Sequence, residues 1–141
     1  MTAVALLVAL TLLTALATLQ ALVALGLPFG RVVWGGMHRV LPRRLRLGSA
    51  ASILVYTGIA VVLLVRGGVL SGEHSPVAAV LTWVVFAFFV ASVPLNAVSR
   101  SLAERWTMTP AGVVLAGATL VIALSEAAEG AGGSDVAQHL I

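Results

Sequence analysis

The sequence predicts an all-α, polytopic membrane protein: four transmembrane helices in a bundle, with an interfacial segment between the first and second. Three observations carry this. Of the 141 residues, 60% are hydrophobic and only 9% charged, against about 25% charged in an ordinary soluble domain. The apolar residues come in long runs, which marks lipid as the solvent, and a soluble fold this small cannot hide so much apolar surface. All eight basic residues are arginine, and they cluster between the runs.

The first span covers about Thr2 to Leu25 and holds no charge. At about 1.5 Å per residue it reaches roughly 36 Å, enough to require tilt. It lacks the basic n-region and the shorter apolar core of a signal peptide, so it reads as a retained helix. Gly26, Pro28 and Gly30 end it. The second span covers about Gly48 to Val65. Pro42 is suited to start this helix early, which puts Arg43, Arg44 and Arg46 on its first turn at headgroup level. Arg66, Gly67 and Gly68 close it, and a short polar loop with Glu73, His74 and Pro76 follows. The third span is about Val77 to Val98. A tight loop, Ser99 to Thr107, leads to a fourth span from about Pro110 to Leu124. Residues 1–124 thus form one membrane domain. The tail, 125–141, is acidic and rich in glycine and alanine, a composition that predicts disorder.

Arginine placement predicts orientation. Five arginines lie between spans one and two, two between three and four, and one between two and three. Seven against one predicts that both arginine-rich loops are cytoplasmic and both termini lie outside the cytoplasm, in a bacterial plasma membrane. The polybasic stretch is flanked by spans, so its partner is the bilayer with its anionic headgroups, not nucleic acid. There are no cysteines, which excludes disulfides, thiolate metal sites and cysteine nucleophiles.

The densest stretch runs from Pro28 to Pro42. Phe29, Val32, Val33, Trp34, Met37, Val40 and Leu41 make it too apolar for a solvated loop, and its glycines permit turns other residues resist. It predicts a segment lying in or dipping into the interface, with Trp34 as an anchor. The candidate binding residues are Trp34, Gly35, Gly36, His38, Arg39, Arg43 and Arg46 here, with Asn96, Arg100 and Glu104 from the second basic loop. His38 reads as an interfacial hydrogen bonder, with proton sensing the alternative. No second histidine stands at metal-ligand spacing, so no metal and no cofactor is expected. Glu104 pairs most simply with Arg100 or Arg105 on the surface; if the loops pack together, it locks them instead. Asn96, two residues after Pro94, reads as an interhelical clasp or a ligand group at a kink.

Weakly polar residues form stripes: Thr11, Thr14 and Thr18; Ser52 and Tyr56; Ser92, Asn96 and Ser99; Gly112, Ala116, Thr119 and Ala123. Such stripes let transmembrane helices pack closely and hydrogen-bond across, or line a polar path. No span carries a carboxylate, lysine or histidine at its middle, which argues against proton-coupled transport. No paired carboxylates or nucleophile–base pair argues for catalysis.

Two stretches, Gly30-Arg31, Trp34-Gly35-Gly36, His38, Leu41-Pro42, Leu45-Arg46, Gly48-Ser49 and then Asn96, Ser99-Arg100, Glu104-Arg105, Met108-Thr109-Pro110, resemble a widespread family of small four-helix bacterial membrane proteins. The resemblance spans most of Leu25 to Leu124. It implies the four-helix topology and brings no activity with it.

Three functions fit these features. In order of fit they are an accessory or assembly protein docking on a larger membrane complex through its basic loop, a homo-oligomeric channel or small transporter, and a membrane enzyme acting on lipid or quinone headgroups. The orientation is directly testable. A reporter that folds only outside the cytoplasm is active when fused after Ile141, and efficient cytoplasmic folding of the fusion would sink the topology.

Overall fold

A computed structural model describes the backbone of residues 1–138 and the side chains as far as Ser125. The tail from Ser125 therefore falls almost wholly outside the described side chains; its backbone continues the last helix to Gln138. The elements are α1 (Thr2–Ala24), α2 (Arg43–Arg66), α3 (Pro76–Ala97) and α4 (Leu102–Gln138), with two single 3-10 turns, Gly30–Val32 and Trp34–Gly36, between α1 and α2. All four helices are long and apolar enough to cross a membrane, α4 over Leu102–Ser125. The chain is a multi-pass, four-helix membrane protein.

Backbone chemistry sets the helix ends. At the end of α1, Gly26 takes φ +93°, its N–H donates to the Val23 carbonyl at 3.1 Å, and the Leu27 N–H donates to the Leu22 carbonyl at 3.0 Å. This paired closure consumes carbonyls that the helix leaves open, and it needs a residue tolerant of positive φ. Gly68, φ +74°, closes α2 the same way, with bonds from Gly68 to Val65 and from Val69 to Leu64. Pro42 precedes α2 as its extended cap residue, so Arg43, Arg44 and Arg46 do occupy the first turn.

The fourth helix starts eight residues before Pro110. Ser101 caps it: its hydroxyl accepts the Glu104 N–H at 3.3 Å, and its carbonyl accepts the Arg105 N–H at 2.9 Å. A serine three residues before a glutamate is a helix-start signal, and it outweighs the proline that marked the expected start. Pro110 sits inside the helix, where it leaves the Trp106 carbonyl without its usual donor.

Within the bundle, α1 packs chiefly on α2 and α3 on α4, and α1 also lies along α4, closing the ring. The core joins Leu13 of α1, Leu63 of α2, Phe89 of α3 and Leu115 and Ile122 of α4. Only 22%, 17%, 22% and 39% of the four apolar windows are buried inside the bundle. The remaining apolar surface, including Leu54, Leu81, Val113 and Trp106, is what a lipid-solvated chain presents outward.

The polar stripes divide. On α4, Gly112 packs against α3: a Cβ there would stand 3.2 Å from Val93 Cγ2 and 3.4 Å from Ser92 Oγ. Thr119 and Ala123 are buried on the same side. Thr11, Thr14 and Thr18, by contrast, are exposed. Each donates to the carbonyl four residues earlier at 2.8 Å, which satisfies the hydroxyl without a partner helix. Ser52 and Ser92 likewise bond to their own helices. For these serines and threonines local bonds replace the cross-helix ones expected, because a helix's own carbonyl is always within reach of the hydroxyl; Tyr56 of α2, by contrast, does hydrogen-bond across to Gln20 of α1.

Gly112→Leu should lower the stability of the protein in detergent by about 1–3 kcal/mol through overpacking. Gly117→Leu, whose Cβ meets nothing within 4 Å, should leave it unchanged. Unfolding midpoints in a denaturing-detergent titration check both.

Candidate functional site: a folded cap at the arginine-rich end

The segment Gly26–Pro42 folds back over one end of the bundle, where α1 ends, α2 begins and α3 turns into α4. Gly30 starts the fold. Its N–H donates to the Arg39 carbonyl at 3.0 Å, and a Cβ at this position would lie 2.3 Å from the His38 carbonyl oxygen and 2.4 Å from Leu41 Cδ1. Only glycine admits that approach. Val33 and Leu41 turn inward and bury with Val23 of α1, packed on by Leu45 and Met108. The segment therefore has a small apolar core of its own, continuous with α1, α2 and α4.

Trp34 crosses to α2. Its indole N–H donates to Ser49 Oγ at 2.9 Å, and its ring lies on Gly48, where a Cβ would come within 2.8 Å of Cζ2. Ser49 is fully buried. Trp34 holds φ +54°, a region costly for a bulky residue and kept only where surrounding contacts impose it.

Glu104 ties the segment to α4. Its side chain is buried at 8% exposure. Oε2 accepts the Gly35 backbone N–H at 2.9 Å and the Ser99 hydroxyl in a short bond. Beside it, the Ser101 hydroxyl donates to the Arg31 carbonyl at 2.5 Å. Gly36 is the contact point: at φ +66°, its Cβ would stand 2.3 Å from Ser101 Cβ and 2.8 Å from the Arg31 carbonyl oxygen. The surface ion pair expected of Glu104 is not formed among the described residues. The Arg105 guanidinium instead donates to the Ser99 carbonyl at 2.9 Å. The carboxylate does lock the two loops, through a backbone amide and a serine. Its place in the first turn of α4 adds the favourable end of that helix's dipole.

Arg46 serves α1. Its Nε donates to the Ala24 carbonyl at 2.7 Å, so a cation sits where the negative end of the helix dipole emerges. Its guanidinium lies across Gly26, about 3.3 Å from the position a Cβ would take there.

The structure thus brings together Trp34, Gly35, Gly36 and Glu104, and sets Arg46 against the end of α1. It leaves His38, Arg39, Arg43 and Arg100 exposed on the rim. The Asn96 side chain makes no hydrogen bond to a described residue, so the interhelical clasp is absent; Val98 and Ser99 use its backbone carbonyl instead. Ser49, Ser99 and Ser101 stand outside the candidate set expected from the sequence, where Ser49 figures only in the family pattern and Ser99 in that pattern and in the polar stripe of the third span. The Ser101–Glu104 capping spacing pointed to Ser101; no local signal marks Ser49, which lies 15 positions from its partner. No three His, Asp or Glu side chains converge among the described residues to hold a metal. At the opposite end, buried Arg66 donates to the Glu73 carbonyl at 2.8 Å, beside a polar cavity of about 320 Å³.

Comparison of the chain with protein-family models, curated proteins and solved structures finds no match.

Glu104→Ala strands the Gly35 N–H and the Ser99 hydroxyl, at about 1–3 kcal/mol for each unsatisfied group. Hydrogen exchange over residues 31–39 should accelerate strongly while exchange in the middle of the spans stays slow. Gly36→Ala should do the same through its clash with Ser101. Gly35→Ala, whose Cβ meets nothing, carries only the positive-φ cost of roughly 1–2 kcal/mol.

Proposed function

We propose that this protein is an accessory or assembly protein of the bacterial plasma membrane that works by presenting its cap to a partner at the membrane surface. The cap faces the cytoplasm and both termini lie outside it, on the arginine asymmetry. Membership of the small four-helix bacterial family belongs to the same proposal. It is supported by the tasks of the pattern residues: Gly30, Gly36 and Gly48 stand where a Cβ would clash, and Ser49 and Glu104 receive Trp34 and Gly35.

One observation carries the reading. The cap is held rigidly from beneath, while its outward face joins exposed cations to exposed apolar side chains. Arg31, Arg39, Arg43, Arg44 and Arg100 are exposed, and none forms an ion pair among the described residues. Phe29, Met37, Val40 and Leu102 are exposed among them. Aromatic, methionine and arginine side chains on a preorganised surface suit recognition of a protein or a headgroup layer. The bundle interior is mainly leucine, isoleucine, valine, phenylalanine and alanine, and its buried threonines, Thr82 and Thr119, spend their hydroxyls on their own helix carbonyls, which gives a single chain little polar lining for a path. A homo-oligomeric conduit remains the second reading, favoured by the outward Thr11–Thr14–Thr18 stripe, which a second copy would turn inward.

Purified protein in lipid nanodiscs should be monomeric. A photo-crosslinker at Met37 should join it in cells to one defined larger membrane complex, and Arg39→Glu with Arg43→Glu should abolish the adduct. A closed oligomer crosslinking through Thr14 would replace this reading with the conduit; no adduct at Met37 would overturn it.

A further inference from the structure

The groove between the end of α1 and the start of α2 sets guanidiniums beside hydrocarbon. Its lining is Ala24, Arg43, Arg46, Leu47 and Ala50, around a volume of about 360 Å³. The four α2 residues follow a spacing of three to four and so share one helix face. Along that face the chemistry changes once: two guanidiniums at the top, then Leu47 and Ala50, then exposed Leu54. From Arg43 to Ala50 the helix rises roughly 10 Å, so the change from charge to hydrocarbon occurs over the depth at which a lipid headgroup gives way to its acyl chains.

Arg46 supplies the specific evidence. It is only partly exposed, and its one bond to the protein runs from Nε to the Ala24 carbonyl. That bond fixes the guanidinium plane and leaves both terminal nitrogens without an acceptor among the described residues. A half-buried, oriented cation at the edge of hydrocarbon demands an anion, because desolvating an unpaired guanidinium is costly. The planar fork matches phosphate oxygens in pairs. The first amides of α2 have no side-chain cap, since Pro42 cannot provide one, and they add partial positive charge on the same side.

We infer that this groove binds a single anionic phospholipid, with its phosphate between Arg43 and Arg46 and an acyl chain along Leu47 and Ala50. The inference rests on the reading that the cap lies at the membrane interface. It adds a stoichiometric site to what is otherwise a diffuse basic surface.

The test is native mass spectrometry of the full chain in mild detergent, titrated with phosphatidylglycerol or with phosphatidylcholine of the same acyl chains. One phosphatidylglycerol per chain should be retained in preference to phosphatidylcholine. Arg43→Gln and Arg46→Gln should each lower retention roughly fivefold, the worth of one arginine at an anionic surface. Arg44→Gln removes the same charge from the neighbouring face and should leave retention unchanged. Ala50→Trp keeps every charge, fills the groove and should also lower retention, which keeps the test decisive if Arg46→Gln fails to fold. Equal losses for Arg44→Gln and Arg43→Gln would overturn the site while leaving the interfacial reading of the cap intact. Displacement by excess inorganic phosphate would overturn the lipid as occupant. Equal retention of the two lipids would overturn the site outright. The Met37 adduct of the chain with all its arginines in place reads the accessory role independently of these outcomes; the Arg43→Glu arm does not enter that comparison.

Discussion

The Glu104 carboxylate sits where three parts of the chain meet: the turn at Gly35, the connection at Ser99 and the first turn of α4. The four spans need no such contact to form, because hydrocarbon solvent already drives each to satisfy its own backbone. The cap does need it. Gly26–Pro42 has little regular structure, and its amides and carbonyls must find partners elsewhere in the chain. A buried carboxylate that accepts a backbone N–H from the segment and sits on the helix that closes the bundle fixes the segment's position. Ser101, which caps α4 and donates to the Arg31 carbonyl, works beside it.

Around this point the glycines act as contacts. Gly36 against the Ser101 side chain, Gly30 against the His38 carbonyl and Gly48 against the Trp34 ring are places where the backbone meets its neighbour too closely for a Cβ. Trp34 combines a positive φ with a hydrogen bond to Ser49 and ring contact on Gly48, so packing offsets the local strain. The result is a compact surface in place of a floating loop. That distinction matters for recognition, since a preorganised surface avoids the ordering cost that a floppy segment would meet on binding.

The arginines divide their work according to which way they face. Arg46 points inward to the end of α1 and Arg105 to the Ser99 carbonyl; both steady the scaffold. Arg31, Arg39, Arg43, Arg44 and Arg100 face outward and give the end its charge. Orientation in the membrane depends on their sum, while recognition depends on where each guanidinium stands. Arg46 belongs to both groups, because one nitrogen is committed to the protein and the rest of the fork is not.

The four spans, the early start of α2 after Pro42 and the closures at Gly26 and Gly68 were legible in the sequence, because each depends on residues within one turn of one another. Hydropathy adds up along a local window, and lipid imposes the same answer on any long apolar run. The early start of α4 was written in Ser101 and Glu104 but competed with Pro110, and the cap won. What the tertiary structure alone decided was who meets whom. Glu104 receives an amide 69 positions away in place of its neighbouring arginines. Asn96 clasps nothing, and the threonine stripe of α1 faces outward. A side chain's partner depends on how distant segments are brought together, and that information lies in the shape of the bundle's end, outside any local window of sequence.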